Sequence, residues 1–400
     1  METQSSIELK RADDAIERRM QRVWNLLRGP VKLVLKSKFN FTTKVYDINT
    51  PCFVVSNHVT DLDPAMLALS FRHPVHFVAS EHIFRKGFLS RLLMHFLDPI
   101  ARQKGGSSTA TVRMMLRKLK EGRSVALFPE GNRCWDGRTR AFSPATGKLV
   151  RSSGVTLITY KLTGGYFASP RWAGSSIRRG RMTGEIVRIY TPSELKAMSA
   201  DEINAAIAND IYEDAYARQQ SEHIEFKGKK LAEHLETMLF ICPVCGEKHT
   251  LKSSGSRFFC THCGAESEYN EDGSFTGTFG FNTIAEWNAW QEERIKALCA
   301  DAGKGPIFSD SEVNVNKVIT AKELQGPLYG TMTLYKDRLE LPGTVIPLSE
   351  LTGMSIRGAG TLYIGTADGS NYQVKSDEII NVYKYLSACT YLGCPVGLGI

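Results

Sequence analysis

The chain has 400 residues, 42% of them hydrophobic and 23% charged, and a formal net charge of +8. That length allows two or three domains with ample core, and the composition excludes a disordered or collagenous chain. The positive balance favours an anionic partner (a membrane surface, a phosphorylated substrate or a nucleic acid) without choosing among them.

No apolar run approaches the roughly 20 residues needed to cross a bilayer. The N-terminal METQSSIELKRADD has no apolar signal core. The expectation is a cytoplasmic protein, peripherally associated with the inner face of a membrane. Nine cysteines are too few for a disulfide scaffold at this length, and four of them fall into two C-x-x-C pairs.

Residues 1–40 form a basic amphipathic segment. Ile16, Met20, Val23, Trp24, Leu26 and Leu27 mix with Arg18, Arg19, Arg22 and Arg28, and Pro30 interrupts the pattern before VKLVLKSK. Two readings stand. One is a helix packed on the next domain. The other is a helix on an anionic membrane surface, with arginines at the headgroups and Trp24 and the leucines below.

Residues 41–238 read as an α/β domain. CFVVS (52–56) is a buried strand. Asp63–Pro64 opens a helix, Asp63 suiting the cap and Pro64 the first turn. TATVRMMLRKLKE (109–121) has helical spacing at Val112, Met115, Leu116 and Leu119 and is closed by Gly122. SVALF (124–128) is the next strand, a further strand covers 155–162, and 199–220 reads as one helix. Such alternation places functional loops at strand ends.

Two of those loops carry chemistry. N-H-V-T-D-L-D places His58 and Asp63 in an H-x4-D spacing, and F-P-E-G-N-R fills 128–133. A carboxylate touching one imidazole nitrogen fixes the tautomer and leaves the other nitrogen for a substrate. No serine stands in a nucleophile elbow, so His58 is expected to activate a hydroxyl of the substrate. His58 alone is more often an ordinary loop histidine, Asp63 alone a helix cap, and Arg102 or Arg133 alone a surface charge. Their joint presence at strand ends points to an active site.

H-x4-D followed by F-P-E-G-x-R resembles the glycerolipid acyltransferases of the lysophosphatidic acid acyltransferase type, over roughly residues 30–240. The resemblance implies acyl transfer from a thioester, acyl-CoA or acyl-carrier protein, to the free hydroxyl of a lysophospholipid, with no covalent enzyme intermediate and no redox cofactor. It makes His58 the general base and Asp63 its orienter. Arg133 and Arg102 match phosphate-binding arginines. Glu130 is placed to bond the acceptor glycerol or brace Arg133, and N–H groups near Gly131 to face the oxyanion. The chain departs from the family pattern at Asn132 and Cys134, where threonine and serine are usual. Its second motif is poor around Asp98–Ala101, and Thr156 and Thr159 stand where the fourth motif carries prolines.

Residues 239–280 read as a zinc ribbon. Cys242, Cys245, Cys260 and Cys263 form C-x2-C-x14-C-x2-C. Four thiolates on two knuckles suit structural zinc, and a glycine after each pair permits the tight turn. His249 and His262 are read as bystanders. Residues 281–303 read as a connecting helix. Residues 304–400 read as a small, mainly antiparallel β domain with a terminal helix, loosely pleckstrin-homology-like. Its strands are expected between 328 and 375, and its helix in DEIINVYKYLSACTYL. The ribbon is expected to act as a spacer or docking module, leaving a protein partner open for it or for the C-terminal domain. The competing readings are a catalytically degenerate lipid- or protein-binding regulator and a zinc-dependent nucleic-acid binder. The latter leaves both loops unexplained, so nucleic acid is not expected.

Overall fold

The computed structural model describes residues 4–80, 98–102, 109–320 and 323–396. The first domain is built on a seven-stranded sheet, comprising β1 (Phe41–Thr43), β2 (Cys52–Ser56), β3 (Val75–Ser80), β4 (Ile100–Arg102), β5 (Ser124–Leu127), β6 (Thr156–Thr163) and β7 (Met182–Tyr190). Their order is β1-β7-β6-β2-β5-β3-β4. Strands β2, β3, β4, β5 and β6 run parallel, while β7 is antiparallel to β6. The C-terminal ends of the five parallel strands therefore share one edge of the sheet, where α/β folds place their ligands.

Helices cover both faces: α1 (Gln4–Phe39), α2 (Asp63–Leu69), α3 (Thr109–Lys120), α4 (Ala145–Ser153) and α5 (Ala200–Ile211). Phe53 and Val55 of β2 pack with Met115 and Leu119 of α3, Leu149 of α4 and Ile203 and Ile207 of α5. Cys52 and Val54 join the layer of Leu35 and Phe39 from α1 and Met66 and Leu67 from α2. A strand covered on both faces needs apolar residues at every position, which is why CFVVS shows no alternation.

Helix α1 runs unbroken through Pro30, contrary to the expected interruption. The carbonyl that loses its donor is that of Leu26, in the exposed stretch 25–27, where solvent can replace the missing N–H. One face of α1 packs on the domain through Met20, Leu35 and Phe39, with Trp24 and Val31 half-buried beside them. Glu17 anchors it to His76 at 3.1 Å and Arg123 at 2.8 Å. The other face exposes Leu26 (75%) and Leu33 (72%), together with Leu27 and Val34. Exposed Arg18, Arg22, Lys32, Lys36 and Lys38 flank that stripe. Trp24 belongs to the packed face, not with those leucines.

The segment 199–220 is two helices, not one. Ser199 opens α5 with a capping box, and Asp214 caps a second helix, Ala215–Glu222. The break has a cause. Thr139 N donates to Glu213 O at 3.0 Å and Ala215 N to Gly137 O at 2.9 Å, so the chain opens there to pair with 137–139.

The ribbon is an antiparallel sheet of β8 (Leu251–Ser254), β9 (Arg257–Cys260), β10 (Glu266–Tyr269) and β11 (Phe275–Gly277). Trp287 of the connecting helix α6 (Ile284–Asp301) packs on Phe258, with ring centres 5.5 Å apart. The C-terminal sheet has β12 (Phe308–Val318), β13 (Leu324–Leu334), β14 (Arg338–Leu341), β15 (Thr344–Pro347), β16 (Leu351–Arg357), β17 (Thr361–Thr366) and β18 (Asn371–Ser376). It is antiparallel throughout, in the order β15-β14-β13-β12-β18-β17-β16. Strand β12 begins 20 residues before the expected β region (328 − 308 = 20), because the polar FSDSEVN half carries little apolar alternation. Helix α7 (Tyr383–Tyr391) is shorter than DEIINVYKYLSACTYL suggested. One apolar core runs from Leu35 through the ribbon to Cys389, so the three units are packed as one body.

Candidate active site

The loop after β2 brings His58 against Asp63. Nδ1 of His58 lies 2.8 Å from Asp63 Oδ2, and Asp63 is fully buried. The same oxygen accepts the N–H groups of Val59 at 2.6 Å and Thr60 at 2.9 Å, and Oδ1 accepts Thr60 Oγ1–H at 2.6 Å. Asp63 thus folds the loop onto itself and does not cap α2, whose N-cap position is Leu62 without a side-chain bond. Asp63 accepts from the two N–H groups and the hydroxyl, so Nδ1 of His58 faces an acceptor and carries the hydrogen. Nε2 is then the basic nitrogen, and it has no protein partner among the described residues. The imidazole is stacked on Phe128, centres 4.6 Å apart, and its side chain is 22% exposed.

The second loop is stitched to the first through the peptide groups of His58. Glu130 Oε1 accepts His58 N–H at 2.8 Å, and His58 O accepts Cys134 N–H at 3.1 Å. Glu130 Oε2 accepts Arg140 N–H at 2.8 Å. Both carboxylate oxygens of Glu130 are therefore occupied within the protein, and the residue it braces is His58 rather than Arg133. Burial pushes its carboxyl up to about 8, while the two N–H groups act in the opposite direction. Asn57 completes the support. Its amide donates to Leu162 O and accepts from Leu162 N, both at 2.8 Å, so it imitates a strand residue and ties the loop to β6.

Arg133 is buried to 7% exposure, and its Nε lies 3.4 Å from Asp61 Oδ1, itself 84% exposed. A cation held by one solvent-facing acid has donors left for an anionic ligand. Gly131 donates its own N–H to Phe128 O at 3.1 Å, whereas the N–H groups of Asn132 and Arg133 have no partner among the described residues. Arg102 ends β4 beside Ser80 of β3, on the same edge of the sheet; its side chain lies outside the described residues. Thr159 of the fourth-motif strand bonds Asp210 at 2.9 Å, as does Tyr190 at 2.7 Å, which places it in an internal network. A small cavity beside His58 is lined by Glu130, Cys134, Gly137, Gly165 and Tyr166.

The four ribbon cysteines form a separate cluster. Their sulfurs all lie within 4.8 Å of one another, and none is in a disulfide. Cys242–Cys263 and Cys245–Cys260 are 3.7 and 3.8 Å apart. Tetrahedral Zn–S bonds of about 2.3 Å require sulfurs about 3.8 Å apart, so the site has the dimensions of zinc. The two knuckles are built alike. Gly246 N donates to Cys242 O at 2.9 Å and Gly264 N to Cys260 O at 3.0 Å, both glycines having positive φ. His249 and His262 are not part of the set.

Sequence reasoning missed Asn57, Thr60 and Arg140. The first two left a faint signal as polar residues in an apolar stretch. Arg140 acts through its backbone and left none.

Residues 36–163 match the Acyltransferase family model. The relatives it matches are 1-acyl-sn-glycerol-3-phosphate acyltransferases. That of Borreliella burgdorferi is 24% identical over 133 residues, 33% of this chain and 51% of that protein. The chloroplastic proteins of Brassica napus and Arabidopsis thaliana are each 31% identical over 117 residues, 29% of this chain and 34% and 33% of theirs. The chain thus spans about half or less of the length of these relatives. Among solved structures, the 1-acyl-sn-glycerophosphate acyltransferase of Thermotoga maritima is 21% identical, covering 50% of this chain and 76% of that one with a TM-score of 0.37.

Proposed function

We propose that the chain is an O-acyltransferase of glycerophospholipid synthesis or remodelling, moving a fatty acyl group from acyl-CoA or acyl-carrier protein to a lysophospholipid such as 1-acylglycerol-3-phosphate. The observation that carries the reading is the His58–Asp63 pair, with a buried carboxylate on Nδ1 and Nε2 free. His58 Nε2 takes the proton of the acceptor hydroxyl as its oxygen attacks the thioester carbonyl, and Asp63 balances the imidazolium that forms. Collapse of the tetrahedral intermediate expels the thiolate, which recovers that proton. General-base help of this kind contributes about 10²–10⁴ in rate. The free N–H groups of Asn132 and Arg133 are the donors that suit the oxyanion. Arg133, together with Arg102, suits the acceptor phosphate, and Glu130 and Gly131 shape the loop that presents Arg133.

Two further assignments accompany this reading. Zinc is held by Cys242, Cys245, Cys260 and Cys263, where it closes the ribbon and leaves no open coordination position. The exposed leucine stripe of α1, edged by basic residues, suits an anionic membrane surface and supports the reading of a peripheral enzyme at the inner face of a membrane. No helix among the described residues is long and apolar enough to cross one.

The test is thiol release from a panel of acyl-CoAs with lysophospholipids, led by lysophosphatidic acid, for wild type and His58→Ala. Release that depends on acceptor and disappears in the variant supports the reading. Activity that survives in the variant removes His58 as base. No release with acyl-CoA or acyl-carrier protein, alongside lysolipid binding, turns the reading to a lipid-binding regulator on the same fold.

A further inference from the structure

The residue after the fourth-motif strand that the proposed reaction leaves unexplained is Arg171. It opens a short helical turn, Arg171–Ala173, and is buried to 3% exposure. Burying a guanidinium is costly unless its donors are satisfied, and here all its hydrogen bonds go to backbone carbonyls. Nη1 donates to Arg133 O at 3.2 Å, Nε to Gly358 O at 3.0 Å and Nη2 to Ile356 O. Its charged carbon lies 4.4 Å from the centre of the Trp135 ring, a favourable place for a cation.

The acceptors belong to two different domains. Arg133 O is on the candidate phosphate loop. Ile356 and Gly358 sit at the end of β16 and in the turn after it, and β16 is one of the two edge strands of the C-terminal sheet. An edge strand has one row of carbonyls without a neighbouring strand, and Arg171 supplies donors there. A second set of contacts grips the same loop through Trp135. Trp135 packs on Tyr383 of α7, centres 4.9 Å apart, and Tyr383 OH donates to Glu292 of α6 at 2.8 Å. The Arg133 carbonyl and the Trp135 ring are thus both held from the C-terminal side of the loop.

We propose that Arg171 is a positioning residue that clamps the Arg133 loop to the end of β16, so that binding of the acceptor phosphate depends on the docked C-terminal domain. This rests on the acyltransferase reading for its kinetic consequence, through Arg133, but its structural half stands apart from it. The C-terminal β domain is then a working part of the acceptor site and not a passive appendage.

The variants are Arg171→Met, Arg171→Lys and Gly358→Val. Gly358 has φ of 59° and open space around a Cβ, so a β-branched residue there disturbs the turn and its carbonyl without filling any packed site. It serves should Arg171→Met fail to fold. Two readouts are taken on the full chain: amide hydrogen exchange at residues 131–136 against β2, and steady-state kinetics with lysophosphatidic acid and an acyl-CoA. Arg171→Met and Gly358→Val should speed exchange in 131–136 at least tenfold with β2 unchanged. They should raise the acceptor KM at least tenfold while kcat changes less than about threefold, and Arg171→Lys should recover part of both. A general loss of structure would instead move kcat, KM and β2 together. Unchanged loop exchange in folded variants overturns the clamp, and faster exchange without a rise in acceptor KM overturns its role in phosphate binding. Should wild type transfer no acyl group, the acyltransferase reading fails, the dissociation constant for lysophosphatidic acid takes the place of its KM with the same expected and overturning outcomes, and the exchange result still decides the clamp.

Discussion

Glu130 shows what a single carboxylate does in this site. Its two oxygens hold the peptide N–H groups of His58 and Arg140, and so it fixes His58 through the backbone. Glu130→Gln keeps the shape but turns an NH2 toward one of those donors. An unmade buried bond costs about 1–3 kcal/mol, and kcat for acyl transfer should fall about 10- to 100-fold with little change in acceptor KM. The same residue sets a pH dependence. Its folded value of about 8 lies above the ordinary 4.5, so its contribution to stability is complete below about 4.5 and disappears as pH rises through about 8. The melting temperature of wild type should therefore fall relative to Glu130→Gln across that window, and parallel curves would refute a raised carboxyl. At this scale the sequence was legible where chemistry needs a particular side chain. His58, Asp63 and Arg133 stand out by type and spacing. Glu130 stood out too, but its partner was not readable, because two backbone N–H groups leave no mark on composition.

At the scale of elements, local spacing predicted β2, α3, β5 and β6 well, since each is long enough to show its period. Strand β12 and the break in 199–220 were hidden, the first by its polar half and the second because tertiary pairing with 137–139 decides it. Two elements carry predictions. Gly147 of α4 faces α5 so closely that an added Cβ would sit 2.1 Å from Ala200 O. Gly147→Ala should therefore force the helices apart and cost about 1–3 kcal/mol, read as a lower midpoint in urea. Helix α1 presents Leu26 and Leu33 to solvent. Burying a leucine contributes about 1.5–3 kcal/mol, so the double substitution Leu26→Gln, Leu33→Gln should weaken sedimentation with anionic vesicles tenfold or more. Turnover of a short-chain, water-soluble acceptor should not change, and equal sedimentation of the two proteins would exclude this face as the membrane contact.

The whole molecule is more tightly integrated than its sequence segments suggest. The cysteine cluster was legible from its two C-x-x-C pairs. The joints between domains were not, because they depend on distant residues such as Arg171, Trp135 and Tyr383. Zinc removal tests that integration. Protein purified without chelator should carry one zinc per chain by elemental analysis. Stripping it should unfold the ribbon and also lower the melting temperature of the αβ domain, since Tyr269 of the ribbon packs on Trp172 with centres 5.7 Å apart. A ribbon that melts alone, leaving the rest unchanged, would mean the shared core contributes little.

The distance along the chain between the halves of the Arg171 clamp also matters during synthesis. Ile356 follows Arg133 by 223 residues (356 − 133 = 223). At about 5–20 residues per second, its carbonyl leaves the ribosome roughly 10–45 s after the loop it steadies. A nascent chain can close its first sheet early, yet that loop is not fastened until the last domain has emerged.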